Sequence, residues 1–130
     1  MKDQKTTIEE LKKMAKDMVE ERDWLQFHSP KNLACAISVE ASELLEKFTF
    51  MDSKESSKEL ESNRQEIEDE LADVIIASLC FANVAKIDLT TAIANKFEEI
   101  KAKYPVELCK GKKDKYTAYK DMKKNYNKKS

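Results

Sequence analysis

Histidine, glycine and proline are scarce in this chain, and their scarcity narrows the structures and sites that it can form. Among 130 residues there are one His, one Gly and two Pro. So few helix-breaking residues, together with 38% charged and 41% apolar residues, are typical of a helical protein. A single His argues against a di-iron carboxylate bundle, because such a bundle needs two Glu-x-x-His pairs.

Cysteine is present, but not in a pattern that binds zinc or forms a disulfide framework. Cys35, Cys80 and Cys109 include no C-x-x-C pair, and the first two lie in apolar stretches where Cys acts as a small hydrophobe. We therefore expect a reducing, cytoplasmic location. No stretch approaches the ~18 apolar residues of a membrane-spanning helix, and the N-terminus has no apolar signal region, so no membrane partner is expected.

The charged residues are unevenly distributed, although the net charge is only −1. Residues 52–73 are acidic, whereas residues 110–129 contain nine Lys and only two acids, Asp114 and Asp121. A lysine-rich tail can bind nucleic acid but is more often a solvated, frayed terminus, so nucleic acid is not the expected partner. Because 130 residues suffice for one core, we expect one domain over residues 1–109 and a basic, mobile tail over residues 110–130.

Apolar residues recur at helical spacing in four segments, and no alternating pattern indicates a sheet. The expected helices cover residues 7–25, 30–50 and 58–85, and a fourth ends before Pro105. Ser29 is the expected N-cap of the second. Met51 to Ser57 is interpreted as a loop, with Ser56 or Ser57 capping the third helix, which breaks near residues 62–63. Long amphipathic helices with short connections predict an all-α fold, an antiparallel four-helix bundle.

Two acidic motifs, Glu40-x-x-Glu43 and Glu70-x-x-Asp73, lie beside apolar runs, where carboxylates are costly to desolvate. Helical geometry places each pair on one face, at about the same offset from the buried stripe of its helix. The stripe expected in the third helix is Ile67, Leu71, Val74, Ile75, Ser78 and Ala82. If the two helices pack side by side, the four acids converge. Oxygen ligands without His or Cys suit a hard divalent cation, and Mg²⁺ is the expected cofactor.

Simpler interpretations of these acids remain open. Acids spaced by three residues are common on solvated helix faces, and this chain is rich in Glu. In a purely structural bundle the acids would pair with Lys47 or with other cations.

The only Trp and the only His lie close together, near the end of the first predicted helix. Trp24 and Phe27 either close the end of the core or form a platform on which a flat ring stacks. In the second interpretation, His28 or Asn32 supplies a polar contact.

The order of these motifs resembles that of the all-α nucleoside triphosphate pyrophosphohydrolases, the MazG-like family. Glu-x-x-Glu followed by Glu-Leu-Ala-Asp-Val carries the general signature. Residues 21–33, E-R-D-W-x-Q-F-H-x-P-x-N-L, are similar to the dCTP pyrophosphatase branch. Further similarities follow in the family's order at residues 39–48, Ile87-Asp88-Leu89, Lys96, Tyr104-Pro105 and Lys115-Tyr116-Thr117. The resemblance extends over about residues 7–117.

The resemblance implies a function and an assembly. It implies Mg²⁺-dependent hydrolysis of a nucleoside triphosphate, first of all dCTP or modified dCTP, to the monophosphate and pyrophosphate. The first alternative is a broad-specificity pyrophosphatase of non-canonical dNTPs. The alternative from another class is a non-catalytic helical module that binds RNA or a protein through its basic tail. The resemblance also implies a homo-oligomer, a dimer or a dimer-of-dimers tetramer.

The resemblance further assigns roles to residues. The metal-binding and catalytic acids that it implies are Glu40, Glu43, Glu70 and Asp73. The substrate-binding residues are Trp24, Leu25, Gln26, Phe27, His28, Asn32 and Phe50 around the base and sugar, and Lys96, Lys101 and Lys103 around the triphosphate. Three departures leave the base preference open: Phe50 stands where the branch has Trp, Ala77 where it has Tyr, and Ile100 where it has Asn.

Overall fold

The computed structural model describes residues 1–113, 116, 117, 120, 124, 127 and 128. Its α-helices are Ile8–Glu21 (α1), Pro30–Glu46 (α2), Ser53–Ser62 (α3), Arg64–Ala85 (α4), Leu89–Lys103 (α5) and Val106–Cys109 (α6). A 3₁₀ turn spans Leu25–Phe27 between α1 and α2. No β-strand occurs in this described part of the chain, so the predicted all-α fold is confirmed.

The cap of α2 and the break in the third predicted helix are confirmed. Ser29 Oγ accepts a hydrogen bond of 3.1 Å from the backbone N–H of Asn32. This satisfies one of the backbone donors that a helix N-terminus leaves without a partner. Asn63 has φ −121° and ψ 34° and separates α3 from α4, at the position where the sequence predicts a break.

The loop predicted at Met51 to Ser57 is wrong, because α3 already begins at Ser53. Asp52 is its N-cap: Oδ1 accepts hydrogen bonds of 2.8 Å from the N–H groups of Lys54 and Glu55. In return, Glu55 Oε2 accepts one of 2.7 Å from Asp52 N–H, which completes a capping box. Ser56, expected as a cap, instead donates its hydroxyl to Ser53 O within the helix, and Ser57 does the same.

The first two helices are shorter than predicted. α1 ends at Glu21, and Asp23 follows with a left-handed φ of 53°, a conformation that Asp tolerates better than most residues. α2 ends at Glu46, and Phe50 has a φ of 62°. Both ends leave the following aromatic residues outside a regular helix.

Residues Met1–Ile87 form the first of two compact units, and α4 lies at its centre. α2 packs most extensively against α4, followed by α1, and α3 makes a smaller contact. The buried apolar residues of this unit are Ala15, Val19, Leu33, Ile67, Leu79, Cys80 and Ala82. Two side-chain hydrogen bonds of 2.8 Å fasten α1 to the end of α4, from Lys12 Nζ to Ile87 O and from Asn83 Nδ2 to Lys12 O.

Two residues of the stripe predicted as buried are not buried. Leu71 and Ile75 are each about half exposed. The physical reason is the width of the apolar surface of α4, which continues round the helix to Ile76, also exposed, beyond the area that α1 and α2 cover.

The second unit comprises Asp88–Ser130. Asp88 Oδ1 accepts a hydrogen bond of 2.8 Å from Thr91 N–H and caps α5. Beyond α5, the rings of Tyr104 and Tyr116 meet edge to face with centroids 6.2 Å apart. The boundary expected at residues 109–110 stays a prediction, and most of the predicted tail lies outside the described residues.

Within the part of the chain that the structure describes, no single helix combines the length and the apolar character that a membrane span requires; only α4 and α5 taken together meet that criterion.

Candidate functional site

Three of the four predicted acids meet where α2 packs against α4. Glu40 and Glu43 lie one turn apart on α2, and Glu70 lies on α4. One carboxylate oxygen from each lies within 4.8 Å of the other two. Oxygens around a single Mg²⁺ are at most about 4.2 Å apart, so small side-chain movements would let one ion contact all three acids. We call Glu40, Glu43 and Glu70 the acid cluster.

The environment of the cluster raises the pKa of Glu40 above its usual value of 4.5. Desolvation is the largest cause, followed by a hydrogen bond with the Glu43 carboxyl group. The negative charges of Glu43, Asp73 and Glu70 add to the effect. The fold thus brings several negative charges together around Glu40, and a proton or a bound cation reduces the repulsion between them.

Asp73, the fourth predicted acid, is not part of the acid cluster. It lies one turn after Glu70 on α4 and is exposed. Its charge contributes to the raised pKa of Glu40, so it is electrostatically coupled to the cluster although its oxygens do not converge with the other three. Its role as a metal ligand stays a prediction.

One cation reaches the edge of the cluster. Lys47 Nζ lies 3.0 Å from Glu66 Oε2 and 3.7 Å from Glu70 Oε1. The sequence left open an ion pair between Lys47 and one of the four predicted acids, and Glu70 forms that pair. Glu66, which sequence reasoning did not single out, forms a second and shorter one. Among the described residues, no Lys or Arg forms an ion pair with Glu40 or Glu43.

The aromatic segment between α1 and α2 is exposed rather than folded into the core. Trp24, Leu25 and Phe27 all present much of their surface to solvent, so the structure does not support the interpretation in which Trp24 and Phe27 close the core. The Arg22 guanidinium stacks over the Trp24 ring at 5.6 Å. Gln26 Nε2 donates to Asp23 O at 3.0 Å.

His28 and Leu25 line a cavity of about 320 Å³ against α1 and α4. The other lining residues are Ala15, Lys16, Val19, Glu20, Cys80, Asn83 and Val84. Asn32, on the first turn of α2, donates its side-chain amide to Phe27 O at 3.0 Å and so fixes the segment that carries His28. Along α4, Cys80 follows Asp73 by seven residues, which is about 10 Å at 1.5 Å per residue.

Phe50 is not brought to this cavity within one chain. It follows the C-terminal end of α2, whereas His28 precedes its N-terminal end, and α2 has 17 residues, which make it about 25 Å long. The Phe50 side chain is fully exposed. It lines a separate surface depression with Met51, Glu55, Lys58, Glu59 and Ser62.

The three predicted phosphate-binding lysines lie on α5, in the second unit, and each pairs with an acid of the same helix. Lys101 lies 2.7 Å from Glu98, Lys96 lies 2.9 Å from Glu99, and Lys103 also contacts Glu99. Hydrogen bonds from Lys103 and Lys96 lower the pKa of Glu99 to about 2. An anion bound by Lys96 or Lys103 therefore competes with Glu99 for the donors of these ammonium groups.

Sequence reasoning also missed an apolar groove between α1 and α4, with a volume of about 680 Å³. The apolar residues that line it are Leu11, Met14, Ala15, Met18, Leu71, Ala72, Ile75, Ile76 and Leu79. Only Asp3 and Glu68 bring charge to its lining. The apolar residues of α4 were a signal for this groove, but Leu71 and Ile75 were assigned to the stripe that faces the core of the same chain.

Comparison with known proteins identifies relatives of this chain. The MazG-like family model matches residues 35–122. The dCTP pyrophosphatase 1 of Bos taurus is 34% identical over 113 residues, which are 85% of this chain and 67% of that protein. The human dCTP pyrophosphatase 1 is 33% identical over 113 residues, covering 85% of this chain and 66% of that protein. This chain thus spans about two thirds of the length of these mammalian relatives.

A solved structure agrees with these relatives. The crystal structure of a pyrophosphatase from Archaeoglobus fulgidus superposes with a TM-score of 0.73 at 41% identity, covering 75% of this chain and 92% of that one. The resemblance drawn from the sequence is confirmed, and so is the enzyme class, a nucleoside triphosphate pyrophosphohydrolase. The chain belongs to the MazG-like family.

Proposed function

We propose that this enzyme hydrolyses dCTP or a 5-modified dCTP to the monophosphate and pyrophosphate, with Mg²⁺ held by Glu40, Glu43 and Glu70. The observation that carries the proposal is the convergence of these three carboxylates between α2 and α4. The substrate follows from the relatives that are named dCTP pyrophosphatase 1.

The donor set suits Mg²⁺ in particular. It consists of carboxylate oxygens alone, which favour hard cations over soft or borderline ones. Glu43 is exposed, which leaves access for the waters and phosphate oxygens that Mg²⁺ normally keeps in its coordination shell. A Mg²⁺ ion held by these acids would neutralise charge on the phosphate oxygens and on the leaving pyrophosphate, and it would lower the pKa of a coordinated water.

Asp73 is the acid that we propose as general base. Water attacks the α phosphorus, the bond from that phosphorus to the bridging oxygen breaks, and the proton of the water needs an acceptor. One oxygen each of Glu40, Glu43 and Glu70 lies within 4.8 Å of the other two, and Asp73 does not belong to this group. Asp73 is exposed and coupled to the cluster by charge, so its carboxylate remains available to accept the proton.

The nucleoside is proposed to bind at the segment from Trp24 to His28. The exposed rings of Trp24 and Phe27 offer flat apolar faces to a base. His28 and Leu25 face the neighbouring cavity, which begins at Cys80, about 10 Å along α4 from Asp73 and about 15 Å from Glu70. The triphosphate then extends from the base toward the acid cluster. The resemblance assigns phosphate contacts to Lys96, Lys101 and Lys103, and we retain this role as a proposal.

We propose a homo-oligomer, either a dimer or a dimer of dimers, because a single chain leaves one predicted pocket residue far from the pocket and one apolar groove uncovered. Phe50 is fully exposed at the opposite end of α2 from His28, so a second copy must supply it if it is to form a wall of the base pocket. The apolar groove between α1 and α4 has few charges and half-exposed Leu71 and Ile75. Such a surface is larger and more apolar than isolated exposed side chains on a monomer, and we propose that a second copy covers it.

The proposed location is the cytosol. Cys35, Cys80 and Cys109 are all free thiols, the form that a reducing compartment maintains.

A substrate panel tests the proposal. Purified protein is incubated with each of the four dNTPs, 5-methyl-dCTP and the four NTPs in Mg²⁺, and monophosphate and pyrophosphate are quantified. Preferential conversion of the cytosine deoxynucleotides is expected. Equal turnover of many damaged or non-standard dNTPs would instead indicate the broad-specificity enzyme. Absence of turnover, together with RNA binding that depends on the Lys-rich tail, would contradict the proposal.

A further inference from the structure

Lys47 forms an ion pair unlike the others in the described part of the chain. Its Nζ bridges two acids of α4, at 3.0 Å from Glu66 and 3.7 Å from Glu70. Every other ion pair among the described residues joins neighbours on one helix or adjacent residues, and all of their side chains are at least 41% exposed. The side chains of Lys47 and Glu70 are only 27% and 21% exposed.

This location shields the Lys47–Glu70 pair from solvent more than an ordinary surface ion pair is shielded. Exposed pairs contribute little because water screens them and because two long side chains lose freedom. A half-buried pair between two packed helices is screened less, and the helices already restrict both side chains. Lys47 is the C-cap residue of α2, the same helix that supplies Glu40 and Glu43. Its ammonium group therefore ties the Glu70 side chain of α4 toward the two acids of α2.

Lys47 lies beside the proposed metal position and not within it. It approaches only Glu70 of the three cluster acids, and its shorter contact is to Glu66, outside the cluster. A Glu carboxylate has two oxygens, so contact of Oε1 with Lys47 leaves Oε2 for a metal ion. A lysine that replaced the cation would instead contact all three acids.

We propose that Lys47 is a positioning residue, which holds Glu70 in the orientation that binds the metal ion. This inference rests on the proposed metal-dependent function. Partners that orient metal ligands commonly change metal affinity by about 10–100-fold when they are removed. Lys47 additionally offsets one of the three negative charges of the cluster in the metal-free protein, and so reduces the repulsion that would spread the acids apart.

The test uses Mn²⁺ as the probe, bound to the full chain without nucleotide and measured by electron paramagnetic resonance. Lys47→Met is expected to weaken Mn²⁺ binding about tenfold. Lys47→Arg, which keeps the charge, is expected to remain within threefold of the wild type. Lys13→Met is the matched control, because Lys13 pairs with Asp17 on the exposed face of α1; its Mn²⁺ affinity is expected not to change.

An activity readout separates positioning from a general structural role. In Lys47→Met the Mg²⁺ concentration for half-maximal pyrophosphate release is expected to rise about tenfold, while kcat at saturating Mg²⁺ recovers. A loss that no Mg²⁺ concentration recovers would overturn the proposal. If circular dichroism shows that Lys47→Met does not fold, Lys47→Gln is measured in its place with the same expectations.

The outcomes distinguish this inference from the function on which it rests. Mn²⁺ binding by the wild type with equal or tighter binding by Lys47→Met would overturn the role of Lys47 alone, and tighter binding would identify Lys47 as a competitor of the metal. Failure of the wild type itself to bind Mn²⁺ would overturn the proposed metal centre and the inference with it.

Discussion

The side-chain amide of Asn83 donates a hydrogen bond of 2.8 Å to the backbone carbonyl of Lys12. The bond joins the middle of α1 to the last turn of α4, across 71 residues of sequence, and it is partly buried. In the opposite direction, Lys12 Nζ donates to Ile87 O just beyond α4. These two bonds hold α1 against the end of α4, beside the cavity that His28 lines.

Removal of this connection is expected to destabilise the fold. Asn83→Ala should lower the free energy of unfolding by about 0.5–1.5 kcal/mol, because it removes a partly buried hydrogen bond between two packed helices. Urea denaturation followed by circular dichroism measures the change. Gln65→Ala is the control on the same helix, since Gln65 forms only an exposed bond to Asp69. An equal effect of the two substitutions would contradict this role of Asn83.

The raised pKa of Glu40 gives the metal-free protein a defined pH dependence. The folded state holds the Glu40 proton more tightly than the unfolded state, so the stability gained from this group is present below pH 4.5 and is lost as the pH rises through the raised pKa. Glu40→Gln cannot lose a proton there. In EDTA, the variant is expected to be more stable than the wild type at pH 7.5, and the difference should vanish near pH 4.

Urea denaturation at a series of pH values measures this difference. Added Mg²⁺ should reverse the order at pH 7.5, because the wild type gains stability by binding the ion and the variant loses a ligand. A stability difference that does not vary with pH would rule out proton binding by Glu40 as its cause.

Substitution of the proposed metal ligand Glu70 and substitution of the proposed general base Asp73 should change different kinetic parameters. Glu70→Gln is expected to raise the Mg²⁺ concentration required for half-maximal activity by at least about tenfold, since it removes a converging ligand. Asp73→Asn is expected to lower kcat by about 10²–10⁴-fold while Mn²⁺ binding stays close to that of the wild type, because it removes a proton acceptor.

Steady-state kinetics at a range of Mg²⁺ concentrations separate the two effects. Asp69→Asn, an exposed substitution on the same helix, serves as the control and should retain activity. Loss of Mn²⁺ binding in Asp73→Asn would instead identify Asp73 as the fourth ligand, as predicted from the sequence.

The groove between α1 and α4 should control assembly. Ile75→Glu places a charge on the apolar surface that we propose a second copy covers, so it is expected to convert the oligomer to a monomer that remains helical. Size-exclusion chromatography with light scattering gives the mass. Leu60→Glu, on α3 outside the groove, is the control and should remain oligomeric. A monomeric wild type would contradict the proposed assembly.

The sequence predicted those local features of this fold for which one residue gives a single strong signal. Ser29 before Pro30 is a strong cap signal, and the structure has the cap there. The break at Asn63 was predicted as well. The start of α3 was not, because Asp52, Ser56 and Ser57 are all good caps, and the reciprocal contact of Asp52 with Glu55 decides between them.

Features that depend on helix packing were predicted less well. Spacing by three residues places Glu70 and Asp73 on one side of α4, but only the contact with α2 determines which of them meets Glu40 and Glu43. Likewise, apolar spacing marks Leu71 as part of a stripe, but it does not say whether another helix of the same chain covers it.

The central claim is that the acid cluster binds the metal ion needed to hydrolyse dCTP, and one comparison tests it most directly. Pyrophosphate release from dCTP in Mg²⁺ is measured for the wild type, for Glu43→Gln, and for Glu46→Gln, an exposed acid one turn further along α2. We expect Glu43→Gln to lose at least about 100-fold in rate, because loss of metal stabilisation costs several kcal/mol, whereas Glu46→Gln should retain the wild-type rate. Equal rates for all three proteins, or release by the wild type that persists in EDTA, would contradict the claim.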